Sequence, residues 1–220
     1  MHWTDEGFLL SKNNFNENSI IIEVFTLNHG KYSGIVYGGS SRKQKRNFQI
    51  GNKILVHLQS KGENKSGYFN IELLKPISPY FFDDKKRTTS ILSATSILKI
   101  LLPERQINKN IFNSFEKMLN DLKNKHWIQL YIHWELLLIK ELGYDVNLLD
   151  LNNTKKDTIE INNRSLKIPK MFFDDIKKEN YSKDIYEALK FNKKLLIENF
   201  ISPNNLKFPL FRNILENYYI

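Results

Sequence analysis

The pattern of hydrophobic and polar positions divides the chain into a front part with strand-like alternation and a rear part with helical spacing. The front part contains five short runs rich in β-branched and aromatic residues, and several border glycine-bearing turns such as Asn28-His29-Gly30. The runs cover residues 7–12, 19–26, 31–37, 54–60 and 68–74. Five such strands predict an OB-type barrel, in which closure removes the sheet edges, while a small open sandwich would produce the same pattern.

The pattern changes after the fifth run. Pro76 and Pro79 end strand pairing and deny a helix its interior hydrogen bonds, and a charged run from Asp83 to Arg87 comes soon after. We therefore predict a domain boundary at this point. The front domain would cover residues 1–78 and the rear domain residues 79–220.

Several stretches of the rear part place apolar residues on one face of a helix. The first should begin with an N-cap from Thr88-Thr89-Ser90 and stop at Pro103, and the third should end at Gly143, a residue type common just after a helix. The predicted helical stretches cover residues 89–102, 112–122, 127–142, 182–200 and 209–218.

A less regular stretch, residues 145–169, interrupts the helical pattern. Residues 158–161 and 165–168 could pair as a small hairpin, because Asn162-Asn163 between them suits the left-handed conformation of a tight turn. The complete pattern predicts an α+β protein, with an N-terminal OB-fold barrel followed by a helical C-terminal domain that carries this short irregular or hairpin insert.

Composition adds a preference for polyanionic partners. The chain has 33 Lys and Arg against 24 Asp and Glu, a formal net charge of +9 and a pI near 9.4. It has no Cys, which excludes disulfides, thiolate metal sites and zinc knuckles and fits a reducing cytosol. The polar first residues resemble no signal peptide, and the longest apolar run, residues 136–139, is far shorter than a membrane span. We expect a soluble cytoplasmic protein without a membrane partner.

The densest positive charge comes after Gly38-Gly39, in the connection between the third and fourth strands. Glycines let backbone N–H groups approach a phosphate, and cations neutralise the nucleic-acid backbone without reading sequence. The charge could also belong to an ordinary solvated loop, and the spacing does not match a Walker A motif. The candidate nucleic-acid contacts are Arg42, Lys43, Lys45 and Arg46, with Lys31 and Lys53 as candidate flanks.

Aromatic residues alternate with basic ones in the same domain. Exposed aromatic rings on an OB fold can stack on unpaired bases. Strand alternation does not reveal which face points outward, and we expect half or more of these rings to belong to the barrel core. The candidates are Tyr32, Tyr37, Phe48, Tyr68 and Phe69.

Candidate catalytic and metal motifs are weak. The His residues at 2, 29, 57, 126 and 133 show neither H-E-x-x-H spacing nor a close third ligand, and no serine lies in a G-x-S-x-G elbow. Paired acids such as Asp83-Asp84 are better explained as solvated charges or helix-start residues than as a general acid and base. We expect a binding protein with no metal and no cofactor rather than an enzyme.

Short motifs along nearly the whole chain resemble the RecO family of bacterial recombination mediators. Each motif is short, and their shared order from about residue 3 to residue 212 carries the resemblance. In the front part they are Trp3-x-Asp5-Glu6-Gly7, Glu23-Val-Phe-Thr26, Gly30, Gly34-x-Val36-x-Gly38-Gly39-x-Ser41 and Phe48-Gln49-x-Gly51-Asn52. In the rear part they are Leu102-Pro103-Glu104-Arg105, Phe112, Glu135-Leu-Leu-Leu138, Glu141-Leu-Gly143-Tyr144 and Leu206-x-x-Pro209-x-x-Arg212.

The resemblance implies a function as well as a fold. It implies an N-terminal OB fold that binds single- and double-stranded DNA, anneals complementary strands, and works with RecR and single-strand-binding protein to load RecA. One departure is clear: many family members carry a Cys-rich zinc element after the segment that matches Leu149-Asp150-Leu151, and this chain has no Cys. Contacts made by that element cannot be carried over.

A second hypothesis gives the main role to the helical half. In this alternative the protein is an interaction scaffold, and a basic groove docks an acidic, apolar-ended tail such as the C-terminal tail of single-strand-binding protein. DNA binding would then be secondary. The two roles are compatible.

Overall fold

A computed structural model of the chain describes residues 1–39, 48–60, 67–144, 158–161, 164–173 and 182–220. Contacts group the chain into two compact units, residues 1–113 and 114–220. The predicted boundary after residue 78 lies within the first of these units, because the first helix packs on the barrel strands. Among the described residues, no helix combines the length and the apolar character that crossing a membrane requires.

The first unit contains a closed five-stranded barrel, which confirms the predicted front domain fold. The strands are β1 (His2–Asn16), β2 (Ser19–Thr26), β3 (Gly30–Tyr37), β4 (Lys53–Gln59) and β5 (Gly67–Lys75). Going round the barrel, their order is β1-β2-β3-β5-β4, with β1 paired to both β2 and β4 and with β3 parallel to β5.

The barrel is closed by the long strand β1. Its first half pairs with β4 and its second half with β2, and a register shift between Leu9 and Ser11 bends the strand between the two partners. Alternate residues of all five strands point inward, and the side chains of Ile22, Val24 and Ile54 are completely buried in the resulting core. Closure of this kind pairs every strand with a neighbour on each side, although β3 and β5 meet over only two residue pairs.

Strand β1 begins five residues earlier than predicted because a polar side chain occupies an inward position. The carboxylate of Asp5 is buried and accepts hydrogen bonds from the backbone and side-chain N–H groups of Asn28, and it contacts the ring nitrogen of His29 at 2.9 Å. Burial alone would raise the pKa of Asp5, but the bonds from His29 and Asn28 outweigh it and hold the pKa below its usual value. A hydrophobic–polar alternation therefore misses this part of the strand, because its inward position is occupied by a carboxylate whose hydrogen bonds are made inside the protein.

The first helix also begins earlier than predicted. Helix α1 (Lys85–Leu101) is capped by Asp84, whose side chain accepts a hydrogen bond from the backbone N–H of Arg87. The predicted cap, Thr88-Thr89-Ser90, is wrong because these residues lie inside the helix and their hydroxyls donate to carbonyls earlier in the chain, as Thr89 does to Lys85 at 2.7 Å. Lys99 near the end of the helix forms an ion pair with Glu23 of β2, 2.6 Å long, which ties α1 to the barrel.

The remaining helices confirm the predicted stripes with small shifts of their ends. They are α2 (Lys109–Asp121), α3 (Trp127–Glu141), α4 (Ser182–Leu196), which continues as a π-helical turn over Ile197–Ile201, and α5 (Leu210–Asn217). Gly143 comes just after α3 with a φ of 97°, as expected for a residue that ends a helix in the left-handed region. The predicted hairpin is present as β6 (Thr158–Ile161) and β7 (Arg164–Lys167), while its turn lies outside the described residues.

The second unit is organised around a buried ion pair. Arg212 of α5 and Glu135 of α3 are both fully buried, with Nε to Oε1 at 2.5 Å and Nη2 to Oε2 at 3.0 Å. Tyr131 and Asn192 also donate to this carboxylate, so Glu135 is satisfied from three directions. Burial alone would lower the pKa of Arg212, but the charge and hydrogen bond of Glu135, together with Tyr131 and Glu216, outweigh it and raise the pKa above its ordinary value.

Candidate nucleic-acid interface

The barrel fixes both ends of the connection that carries the four predicted phosphate contacts. Strand β3 ends at Tyr37, and the backbone N–H of Gly38 donates to the carbonyl of Asn18 in the β1–β2 turn. At the other end, Phe48 is almost fully buried in the barrel core. Arg42, Lys43, Lys45 and Arg46 themselves lie outside the described residues, so their assignment stays a prediction.

The structure places the predicted flank Lys31 in the protein interior. Only 8% of the residue is exposed, and its Nζ donates to the backbone carbonyl of Lys99 at 2.7 Å. Burial lowers the pKa of Lys31. This lysine links β3 to α1, and we leave it out of the interface.

The other predicted flank, Lys53, is also occupied by contacts within the protein. Its Nζ lies 3.1 Å from the carboxylate of Glu6 and 5.8 Å from the ring centres of Phe8 and Phe112. With its side chain only 13% exposed, Lys53 packs against rings of β1 and α2 rather than presenting a charge to solvent. Both lysines were proposed as flanks from their charge and position in the sequence, which do not distinguish a buried or ion-paired lysine from a free one.

The structure separates the five candidate aromatic residues into core and surface. Phe48 and Phe69 are buried, and Tyr32 is half-buried against the core with its ring edge-on to Trp3. Tyr37 is 65% exposed and Tyr68 is 41% exposed. The expectation that half or more of these rings belong to the core is confirmed, and Tyr37 and Tyr68 remain exposed.

The two exposed tyrosines form a stacked pair on the barrel surface. Their ring centroids are 5.0 Å apart with an interplanar angle of 21°, and a side-chain hydrogen bond with Tyr68 raises the pKa of Tyr37. Tyr37 is the last residue of β3, immediately before Gly38-Gly39, and Tyr68 lies at the start of β5. A stacked aromatic surface therefore adjoins the connection that holds the four cations in the sequence.

A second candidate surface lies in the second unit, beside the hairpin. A groove of about 400 Å³ has an apolar floor that includes the buried residues Ile168 and Phe191. Exposed lysines lie along it: Lys167, Lys170, Lys190 and Lys194. Glu187 is the acidic residue of this lining, so the groove is predominantly positive around an apolar centre.

Metal binding finds no support in the described part of the chain, where no three His, Asp or Glu side chains come together in a ligand set. His133 is an exposed residue whose ring lies 5.6 Å from that of Phe172, and partial desolvation lowers its pKa. The expectation that the protein uses no cofactor stays a prediction.

Comparison with known proteins identifies relatives of both parts of the chain. Residues 1–79 match the family model described as Recombination protein O N terminal, and residues 83–160 match Recombination protein O C terminal. Proteins named DNA repair protein RecO are 31% identical in Wolbachia sp. subsp. Drosophila simulans and 35% identical in Rickettsia felis, over 67% of this chain. The Roseobacter denitrificans protein of the same name is 32% identical over 66% of this chain. The matches span 60 to 62% of the length of these relatives.

Proposed function

The chain belongs to the RecO family, and from this premise we propose that it is a DNA repair protein whose barrel binds single- and double-stranded DNA. One observation carries the proposal: the closed barrel coincides with the N-terminal family match and has four cations within five positions of a single inter-strand connection. Cations concentrated in this way neutralise phosphates and give affinity without sequence readout.

The family assignment also supports a finer proposal for the steps after DNA binding. We propose that the protein anneals complementary strands, because neutralised phosphates let two strands approach each other. It would cooperate with RecR and single-strand-binding protein to load RecA, in the cytoplasm. In this proposal the protein acts by binding alone and is not an enzyme.

Salt-titrated binding of the full chain to labelled single- and double-stranded oligonucleotides tests the DNA-binding proposal. The logarithm of affinity should fall linearly with the logarithm of salt concentration, with a slope of about −0.7 to −0.9 for each phosphate contacted. A salt-independent affinity, or no binding to either DNA at low salt, would contradict the proposal.

The groove beside the hairpin favours a second, compatible function. Four lysines around an apolar floor match the chemistry of an acidic peptide that ends in an apolar residue, such as the tail of single-strand-binding protein. The apolar end would occupy the floor at Phe191, and the acidic residues would meet the lysines.

Peptide binding to the full chain in the absence of DNA tests this second function. We expect Lys190→Glu combined with Lys194→Glu to weaken binding of an acidic peptide ending in Phe by roughly tenfold or more, because two attractions become repulsions. The same charge change at the exposed residues Lys117 and Lys207, outside the groove lining, should have little effect. Equal loss in both variants, or no dependence on the terminal Phe, would eliminate a specific groove.

A further inference from the structure

The stacked tyrosines stand beside a cleft in the wall of the barrel. Strands β3 and β5 pair in parallel over only two residue pairs, Gly34 with Gly67 and Ile35 with Tyr68. Beyond this short ladder, residues of both strands line a cleft of about 270 Å³. The cleft is therefore a consequence of the strand order, since both strands continue past the point where their pairing stops.

The cleft has an apolar interior and a polar, aromatic rim. Phe48 and Phe69, both at least 96% buried, line its interior, and Tyr37 and Tyr68 stand at its exposed edge. A flat ring that enters the cleft would meet aromatic surface, which is the environment in which an unpaired base is stabilised by stacking.

Two side-chain amides complete the rim. Gln59 at the end of β4 and Asn70 of β5 both line the cleft and are both exposed. In the part of the chain that the structure describes, neither amide has a hydrogen-bond partner among the side chains and backbone groups around it. An amide offers one acceptor and two donors, the complement of the mixed donor and acceptor edge of a nucleobase.

We propose that this cleft is a binding site for one unpaired nucleobase of single-stranded DNA, with Tyr37 and Tyr68 as the stacking surface and Gln59 and Asn70 facing the edge of the base. The inference rests on the proposed DNA binding and adds a strand preference to it. Phosphate contacts do not distinguish paired from unpaired strands, whereas a base inside a duplex would have to be unstacked at a cost of a few kcal/mol before it could enter. The cleft therefore gives the barrel a preference for single strands.

Replacing both tyrosines with alanine tests the site. Tyr37→Ala combined with Tyr68→Ala should weaken binding of the full chain to a single-stranded oligonucleotide by about 5- to 150-fold, the range for loss of stacking on one base. Affinity for a duplex of the same length should change less than about twofold, because no phosphate contact is removed. For the same reason the salt dependence of the remaining single-strand binding should keep the wild-type slope.

Two control variants isolate the aromatic contact. Tyr37→Phe combined with Tyr68→Phe keeps both rings and should retain near wild-type affinity, because stacking uses the ring and not the hydroxyl. Tyr80→Ala removes a ring of the same 65% exposure as Tyr37 in the same unit but outside the cleft lining, and it should leave single-strand binding unchanged. Thermal unfolding of each variant confirms that the barrel is intact.

The base can also be removed from the ligand. A single-stranded oligonucleotide made of abasic sites keeps the sugar-phosphate backbone but has no base to stack. Wild-type protein should bind it about as weakly as the double alanine variant binds ordinary single strands, and the variant should not distinguish the two ligands. Equal losses on single strands and duplex, or no loss on single strands, would overturn the nucleobase site and leave the proposed DNA binding standing. Absence of wild-type binding to both DNA forms would overturn both proposals.

Discussion

Replacing Arg212 with alanine should lower the free energy of unfolding of the second unit by about 3–5 kcal/mol. The substitution leaves the carboxylate of Glu135 fully buried without its opposite charge, and Glu216, 3.4 Å from the same guanidinium, loses a partner as well. A loss of this size is a large share of the stability of an ordinary domain. The variant should therefore be partly unfolded at moderate temperature.

Urea unfolding followed by tryptophan fluorescence measures the free energy of unfolding of the second unit. Trp127 and Trp134, two of the three tryptophans, both lie on α3 in the second unit and are buried. Arg212→Lys should recover only part of the loss, because an ammonium keeps the charge but cannot match the two-pronged contact with Glu135.

Lys193→Ala is the matched control for the loss of a positive charge. Lys193 also pairs with Glu216, at 3.4 Å, but its side chain is 27% exposed, and the expected loss is within about 1 kcal/mol. Equal effects of Arg212→Ala and Lys193→Ala would show that the buried pair does not organise the second unit.

Changing Arg42, Lys43, Lys45 and Arg46 together to alanine should produce the largest loss of DNA affinity. If each contacts one phosphate, the slope of log affinity against log salt should become shallower by about three to four units. Between 1 M and 0.1 M salt, a slope difference of about three corresponds to an affinity loss on the order of a thousandfold. Single strands and duplex should both be affected, in contrast to the tyrosine variants.

A control with the same change in net charge separates specific contacts from the general field of the protein. The exposed residues Lys117, Lys123, Lys125 and Lys207 lie in the second unit and can be changed to alanine in the same way. This variant should keep most of the slope if these lysines contact no phosphate, because the slope counts the phosphates contacted. If the slope of log affinity against log salt becomes shallower by the same amount in both variants, the connection between β3 and β4 is not the phosphate-binding element.

The barrel was predictable from sequence because its five strands show period-two hydrophobic alternation and several of them border glycine-bearing turns. The strand starts were less predictable where polar side chains face inward. Asp5 occupies an inward position on β1 and is stabilised by Asn28 and His29, partners more than twenty residues away in the chain. Only the folded barrel brings these groups together.

The surface residues were harder to assign than the fold. Lys31 and Lys53 look like free cations in the sequence, but one is buried against α1 and the other pairs with Glu6. Tyr37 and Tyr68 stood among five equivalent candidates, and their exposure depends on which residues of β3 and β5 face outward. Strand periodicity gives the spacing of the two faces but not their direction.

In the rear part, the sequence motifs also did not reveal which of their residues contact each other. Glu135 and Arg212 belong to two separate motifs, 77 positions apart, and the sequence does not indicate that they form one buried pair. Packing of α3, α4 and α5 brings them together and excludes water from both.

Cross-linking of the full chain to a single-stranded oligonucleotide containing 5-bromodeoxyuridine, with mass spectrometry of the linked peptides, locates the DNA directly. If the barrel is the DNA-binding element, the linked peptides should contain Tyr37 or Tyr68, and the links should disappear when both are changed to alanine. Links confined to residues 114–220, and unaffected by the tyrosine substitutions, would contradict the assignment of DNA binding to the barrel.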